Sequence, residues 1–334
     1  MQASIKEKWR GNEMNQALLS ICIPTFNRAS YLKRLLDDLL PAIARHHQLI
    51  NIFIIDNAST DQTAALCDSY IQAGHALNYV RNESNIGADA NAVRAFECVN
   101  GIYGWILGDD EYVYGQTVDT IIATLTKQPL ALLYLKSEPC TASAIAQKKP
   151  RSQALSYYMS NVEFSRKIGI YFTFISAIIF NKQQAMQDDA LCANIRYGTF
   201  IPQLAWVLPL LKQGKHFASS QACLIAAEPN NTTGYKLFEV FGINLRALVD
   251  AFLPDQPRLR KAILSSSMWF LASFFYGNRG NFKQENPKPA FDQAFGELRV
   301  YRLIVRPLLT YQNLMSKLCV KTICRFRKNI LQQA

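Results

Sequence analysis

Short apolar blocks and helical stripes alternate along the first part of the chain. Leu18–Pro24 reads LLSICIP, a run too short for a helix and closed by proline, which predicts a buried parallel strand. In Ser30–Leu40, Tyr31, Leu32, Leu35, Leu36 and Leu39 recur at helical spacing, with Ser30 placed to cap the start. Ile50–Ile55 predicts a second buried strand, Thr63–Ala73 a second helix, Leu77–Arg81 a third strand and Ala88–Val99 a third helix. Tyr103–Leu107 and Leu130–Leu135 predict two more strands, with a helix over Thr117–Leu125 between them. Strand and helix alternating at such short intervals indicate an α/β fold with a mostly parallel sheet flanked by helices.

Beyond about residue 140 the pattern changes. Ala142–Ser152 is small, polar and basic and reads as a loop. Thr173–Phe180 predicts a strand, and Phe200–Leu211, Leu237–Phe252 and Lys261–Tyr276 predict helices. Gly277–Asn281 reads as a turn. Arg299–Leu331 is a basic, apolar stretch interrupted by Pro307. The expected organisation is a flexible leader over 1–15, with Met14 as an alternative start, then an α/β domain over 16–225. That domain has halves 16–135 and 136–225, and a helical region with a basic amphipathic end covers 226–334.

With 334 residues, 49 % of them hydrophobic, the chain can bury a sizeable core. Its net charge of +11 suggests anionic partners: nucleic acid, a membrane surface or phosphate-bearing substrates. No nucleic-acid recognition motif is present, so nucleic acid is not expected as a partner. Eight cysteines are scattered, with no C-x-x-C pair, and read as reduced core thiols of a cytoplasmic protein. Four histidines, none at ligand spacing from a cysteine, argue against structural zinc. The start is polar up to Gln16 and shows no signal peptide, and no run of about 18 apolar residues predicts a membrane span.

Three polar clusters close the predicted strands: Thr25-Phe26-Asn27-Arg28, Asp56–Asp61 and Gly108–Glu111. In an open α/β sheet, ligands bind outside the carboxyl ends of the strands, and a core strand needs no acidic turn there. Asp109 and Asp110 sit on such a turn, where hard oxygen ligands can meet Mg²⁺ or Mn²⁺. A solvated acidic turn is the plain alternative.

ICIPTFNR, IIDNASTDQT, NIGADAN and WILGDDE, in that order and spacing, resemble the family 2 glycosyltransferases of the GT-A fold. The look is that of bacterial enzymes building O-antigen or capsule, including the abequosyltransferase-like group, and it covers roughly residues 18–210. The resemblance implies transfer of a sugar from a nucleoside diphosphate sugar to a glycan or polyprenyl-linked saccharide acceptor, with inversion at the anomeric carbon. It implies a Mg²⁺ or Mn²⁺ ion at the turn after the fourth strand. Aligned from that strand, the family's first Asp falls on Gly108 and its last on Asp110, so Asp110 is the expected metal ligand, with Asp109 in support.

By the same resemblance Asp56 binds the donor's base, with Asn57 where a second acid is common, and Pro24, Thr25 and Asn27 lie against the nucleotide. Arg28 pairs with phosphate or serves the surface. Ser59 and Asp61 bind donor or cap the following helix. Arg81 and the Asn85-Ile86-Gly87 turn shape the nucleotide pocket, Gly87 supplying a conformation other residues resist. Asp89 contacts base or ribose, or is a favourable acid in a first helical turn. An inverting transfer also needs a base for the acceptor hydroxyl, for which Asp188 and Asp189 are the candidates, ahead of Glu163 and Glu138. Their segment reads equally as an exposed loop.

The basic end of the chain suits either an anionic leaflet at the inner face of the cell membrane or packing on the rest of the protein. A different class of function is a catalytically lapsed nucleotide-sugar-binding scaffold in a membrane-associated complex, a reading that Gly108 keeps open. A nucleotidyltransferase is argued against by PTFNR where a Gly-rich basic loop would stand.

Overall fold

The computed structural model of the protein describes residues 16–139, 154–188, 191, 195, 198–227, 236–277, 287–311 and 318–323. The leader, the loop over 142–152 and Asn278–Asn281 therefore lie outside the described residues. The chain forms two compact units. One comprises Met1–Met159 and Phe174–Thr232, the other Ser160–Thr173 and Thr233–Ala334.

In the first unit the elements run β1 (Leu19–Thr25), α1 (Ala29–Ala44), β2 (Ile50–Asp56), α2 (Thr63–Gln72), β3 (Leu77–Arg81), α3 (Ala88–Cys98) and β4 (Tyr103–Ile106). Then follow β5 (Tyr112–Val113), α4 (Thr117–Lys127), β6 (Leu132–Pro139) and β7 (Leu155–Tyr158). After α5 (Asn161–Ile168), which belongs to the second unit, come β8 (Ile178–Asn181), α6 (Lys182–Ala185), α7 (Leu204–Gln213) and β9 (Phe217–Ala227). The sheet order is β3-β2-β1-β4-β8-β6-β9-β5, with β7 also on β9. β3, β2, β1 and β4 are mutually parallel, while β8 runs antiparallel between β4 and β6.

The order of connection explains where a site can form. From β1 the chain winds outward through β2 to β3, then returns to lay β4 on the other side of β1. Successive crossovers thus leave a crevice at the carboxyl ends of β1 and β4. β1 is nearly continuous in apolar side chains and is buried along almost its whole length.

α1 begins at Ala29 rather than at a Ser30 cap. Ser30 is inside the first turn and exposed, and the Ala29 N–H is taken instead by the Asp61 carboxylate at 2.9 Å. The helix runs through Pro41 because Ala42 and Ile43 continue the buried stripe. Of the strand expected over Thr173–Phe180, only Ile178–Asn181 is extended. Gly169–Thr173 and Ile175–Ala177 are 3₁₀ turns, the second held where the Trp105 indole N–H donates to the Ser176 carbonyl at 2.7 Å.

β9 was not legible in sequence. FASSQACLIAA has no clean alternation, since the strand is walled by β6 on one side and by β5 and β7 on the other. Among the cysteines, Cys22 and Cys67 are buried as core thiols, Cys98 and Cys223 are half-buried, and Cys319 is exposed.

The second unit gathers α5, α8 (Leu245–Phe252), α9 (Pro257–Gly277), α10 (Lys288–Phe295) and α11 (Arg306–Tyr311). α8 continues a π-helical segment, Glu239–Asn244, and α11 continues another, Tyr301–Val305, so Pro307 sits within the first turn of α11 instead of breaking the stretch. α5 carries a Ser160 cap on Glu163 N and buries Phe164 and Ile168. Just after it, a Cβ on Gly169 would fall 2.0 Å from the Ser266 hydroxyl of α9, and the Ile170 N–H donates to that hydroxyl at 3.0 Å. No helix among the described residues is long and apolar enough to cross a membrane.

In the first unit, α3 and α7 meet through a ring stack of Phe96 on Trp206, centroids 4.5 Å apart, with Phe180 of β8 against the same indole at 5.8 Å. Trp206 is fully buried, so Trp206→Ala leaves a cavity no neighbour can fill and is expected to cost about 3–5 kcal/mol. Urea denaturation checks this; a loss below ~1 kcal/mol would show that the cluster is not a packed core.

Candidate functional site

A buried hydrogen bond joins the carboxyl end of β1 to the turn after β4. Thr25, the last residue of β1, donates its hydroxyl to Asp109 Oδ2 at 2.7 Å, and both residues are buried. Asp109 stands three residues past the end of β4, so this contact joins the two strands where the winding reverses. Burial is the main influence on Asp109 and pushes its pKa up to about 6. The Thr25 hydroxyl and the Arg28 guanidinium oppose that rise.

Arg28, in the loop before α1, places one guanidinium nitrogen between two acids, 3.2 Å from Asp109 Oδ1 and 3.0 Å from Asp110 Oδ2. The preceding residue, Asn27, has φ +54°, and its side-chain oxygen accepts the Thr60 N–H at 2.7 Å. A short amide tolerates this left-handed geometry where most side chains resist it. From α1, Arg34 donates to the Asp110 carbonyl at 2.5 Å and to the Tyr112 hydroxyl at 2.7 Å, its guanidinium lying 3.8 Å from the centre of that ring.

The turn itself is tight. A Cβ on Gly108 would lie only 3.0 Å from Asp110 Oδ1 and 3.3 Å from Glu111 Cγ. A side chain at this position is therefore tightly accommodated and would need a small shift of the Asp110 carboxylate. Gly108 N–H donates to the Ser176 hydroxyl at 3.1 Å, and that hydroxyl donates to Glu111 Oε1 at 3.2 Å. Glu111 Oε2 is buried with no hydrogen-bond partner among the described residues. Desolvation, then the charge of Asp110, raises the Glu111 pKa to about 8.

A second cluster sits at the ends of β2 and β3. Asp56 is fully buried. Its Oδ1 accepts the Ser59 N–H at 2.9 Å and its Oδ2 accepts the Tyr79 hydroxyl at 2.5 Å, with Arg81 Nε 3.8 Å away. Arg81 also donates to the Ser59 carbonyl, and the Ser59 hydroxyl accepts the Asn27 N–H, tying this cluster to the β1 turn. Asn57 bonds the Asn85–Gly87 turn from both ends of its amide: its nitrogen donates to Asn85 Oδ1 at 2.8 Å and its oxygen accepts the Ile86 N–H at 2.9 Å. Gly87 has φ +86°, which a side chain at that position would resist.

Several sequence candidates turn out to be committed to backbone. Asp61 accepts the N–H groups of Ala29 and Thr63 and the Thr63 hydroxyl, so its carboxylate caps two helix starts. Asp89 is buried, and its Oδ2 accepts the N–H groups of Thr199 and Phe200 at 2.8 and 2.9 Å, pinning a loop in which Phe200 has φ +60°. Pro24 lies opposite Ile55 in the β1–β2 ladder, one residue inside the crevice.

Asp188 is not brought to the site. It follows β8 and α6, and Asn181, the last residue of β8, pairs with Tyr103, the first residue of β4. Asp188 thus lies toward the opposite end of the sheet, where it accepts a hydrogen bond from Gln213. The linear count of residues from Asp110 could not show that β8 runs antiparallel. Glu138 accepts the Tyr114 hydroxyl at 2.6 Å, and Asp189 lies outside the described residues.

The sequence reading missed Arg34, Tyr79, Ser176 and Glu111 as contributors. Tyr79 and Arg34 carried a faint signal, a polar-tipped side chain one turn or one strand from an acidic cluster. Ser176 carried none, because only the fold brings it under Gly108.

Among the described residues no group of three or more His, Cys, Asp or Glu side chains is arranged as a metal cage. Asp109 and Asp110 still offer two adjacent carboxylates, Asp110 partly open to solvent. That set fits an oxygen-preferring divalent ion that completes its shell with ligand phosphates and water.

Residues 20–182 match the family model described as Glycosyl transferase family 2. The chain is 30 % identical to the abequosyltransferase RfbV of Salmonella typhimurium, over 54 % of this chain and 58 % of that protein. It is 24 % identical to the glycosyltransferase GlyG of Streptococcus pneumoniae, over 31 % of this chain and 34 % of that one. The match therefore spans little more than half the length of the first relative and a third of the second. In structure the chain is similar to S. aureus TarS 1-349 in complex with UDP, with a TM-score of 0.61 and 20 % identity, covering 92 % of this chain and 91 % of that one. It is also similar to the mannosyltransferase PcManGT of Pyrobaculum calidifontis in complex with GDP-Man and Mn²⁺, with a TM-score of 0.53 and 12 % identity, covering 95 % and 93 %. The fold is GT-A, as these neighbours and the family match agree.

A carboxyl whose pKa is higher in the folded chain than in the unfolded one keeps its proton better when folded. Stability then falls as pH rises from the ordinary carboxyl range to the folded value. For Glu111 that window runs from about pH 4 to about 8, with a slope of at most about 1.4 kcal/mol per pH unit. Glu111→Gln is expected to flatten this decline. Denaturant titrations at about pH 5 and about pH 8 check it, and parallel profiles for the two proteins would contradict the assignment.

Proposed function

With residues 20–182 matching the model of glycosyl transferase family 2, we propose that this protein transfers a sugar from a nucleoside diphosphate sugar to a saccharide acceptor in surface polysaccharide biosynthesis. The observation that carries the proposal is the Thr25–Asp109–Arg28–Asp110 cluster at the carboxyl ends of β1 and β4. A diphosphate needs concentrated positive charge beside it and a rigid frame to hold its leaving oxygen. Arg28 supplies charge, and Thr25 holds the Asp109 carboxylate in one orientation. Asp110 and Asp109 would hold a Mg²⁺ or Mn²⁺ ion, which when bound neutralises the departing diphosphate.

Asp56, Asn57, Arg81 and the Asn85–Gly87 turn form a polar cluster one strand away, which the resemblance assigns to the nucleoside. The fully buried Asp56 carboxylate is held by the Ser59 N–H and the Tyr79 hydroxyl, so in this role it would set the shape of the loops around it. The resemblance adds inversion, for which a carboxylate must accept the acceptor hydroxyl proton. Asp188, bonded to Gln213 toward the other end of the sheet, is set aside for that role, and Asp189 is retained for test.

The lapsed-scaffold reading is less well supported, because the gap at Gly108 is filled by Asp110 itself. Location on an anionic leaflet is supported by exposed Leu303 and Ile304 among Arg299, Arg302 and Arg306.

A panel of UDP-, GDP-, CDP- and dTDP-sugars, with and without Mn²⁺, tests the function by thermal shift and donor hydrolysis. One nucleotide is expected to stabilise the protein in a metal-dependent way. Asp110→Ala is expected to lower donor turnover by roughly a hundredfold or more, the scale of losing one main charge-stabilising group. A folded sample that responds to no nucleotide would refute the proposal. Asp56→Ala is expected to weaken nucleotide binding about tenfold while Mn²⁺ binding is unchanged, measured by calorimetry. Equal nucleotide affinity would remove Asp56 from the pocket.

A further inference from the structure

Arg28 occupies an unusual place for a surface-loop arginine. One of its nitrogens stands 3.2 Å from an oxygen of Asp109 and 3.0 Å from an oxygen of Asp110, bridging the two carboxylates expected to hold a divalent ion. The guanidinium offsets the repulsion that two neighbouring carboxylates in a part-buried site would otherwise feel. Asp109 is only 5 % exposed at its side chain, whereas Arg28 is 33 % exposed. The guanidinium therefore keeps a path to water that the Asp109 carboxylate lacks. Its backbone is held independently as the N-cap residue of α1, and its guanidinium also lies 5.7 Å from the Tyr31 ring, an alternative surface on which it can rest.

We propose that Arg28 is a resident counter-cation that a divalent ion displaces from between Asp109 and Asp110, and that the displaced guanidinium then turns to the donor diphosphate. Ion and donor would thereby bind with positive coupling, each favouring the state in which Arg28 has left the acids. No bond is made or broken; one guanidinium exchanges carboxylate partners for phosphate oxygens, for which its planar fork is equally suited. The first half of this inference is independent of the sugar-transfer reading, and the second half rests on it.

The test is Mn²⁺ binding to the full chain, followed by the electron paramagnetic resonance of free Mn²⁺ at one fixed pH for all proteins. Wild type, Arg28→Gln, Arg28→Lys and Asp110→Asn are compared, with thermal melts to verify folding. Removing the competing charge in Arg28→Gln is expected to tighten Mn²⁺ binding about tenfold. Arg28→Lys, which keeps a charge but lacks the two-pronged head, is expected to fall between it and wild type, and supplies the comparison should the glutamine variant not fold. Asp110→Asn is expected to lose the site.

Equal or weaker Mn²⁺ binding by the folded Arg28 variants would overturn the displacement, as would an absence of Mn²⁺ binding in all four proteins. The same titrations with UDP, GDP, CDP and dTDP present test the coupling. In wild type the nucleotide that binds is expected to tighten Mn²⁺ more than it does in Arg28→Gln, and undiminished coupling in that variant would overturn the second half. Tighter Mn²⁺ in Arg28→Gln with no response to any nucleotide would refute the donor reading while leaving the displacement intact.

Discussion

The buried carboxylate of Asp109 is the constraint around which the rest of the crevice is arranged. An acid with so little access to water is costly unless hydrogen bonds and opposite charge surround it. Thr25 and Arg28 provide both, and they come from the strand and loop across the winding reversal. The charge at Asp109 thus couples the end of β1 to the turn after β4, and the crevice between them is shaped by that coupling. Arg34 reinforces the same turn from α1 through the Asp110 carbonyl and the Tyr112 ring and hydroxyl.

Below the turn a second brace runs through Ser176. It connects the Gly108 backbone to Glu111, and its carbonyl receives the Trp105 indole N–H from the core of β4. The acidic turn is held from above by cations and from below by a neutral hydrogen-bond chain. This division has a physical logic. Cations on the open side keep contact with water, while a second charged brace in the core would add another desolvation cost. Glu111, with its pKa raised to about 8, is largely protonated at neutral pH and so suits a chain of neutral groups.

The polar network at the ends of β2 and β3 works differently. Asp56, Asn57, Ser59 and the Asn85–Gly87 turn hold one another through amide and hydroxyl groups. Ala58 and Asn27 adopt positive φ within the same loops. Backbone conformations of this kind cost free energy and persist where surrounding bonds over-determine them. The loops at the site edge are therefore stiff, although they lie at the surface.

Much of the first unit was legible in the chain. The blocks LLSICIP and INIFIID are too short and too apolar to be anything but buried strands, and the stripe from Leu32 to Leu39 has one sensible partner, a sheet. Local period and polar strand ends follow from neighbouring residues alone, so sequence by itself determined the parallel core and the three polar clusters at its strand ends. What lay beyond reach depended on partners far along the chain. β9 is a strand because β6, β5 and β7 enclose it, and Ser176 matters because a 3₁₀ turn brings it under Gly108. Asp188 fails as a site residue because β8 reverses direction, and Asp61 and Asp89 are spent on backbone N–H groups that no spacing rule identifies. A side chain's neighbours across a sheet are set by chain reversal and register, which are properties of the whole packed unit. Only the tertiary structure could decide which acids stand at the turn after β4 and which are committed to backbone N–H groups elsewhere.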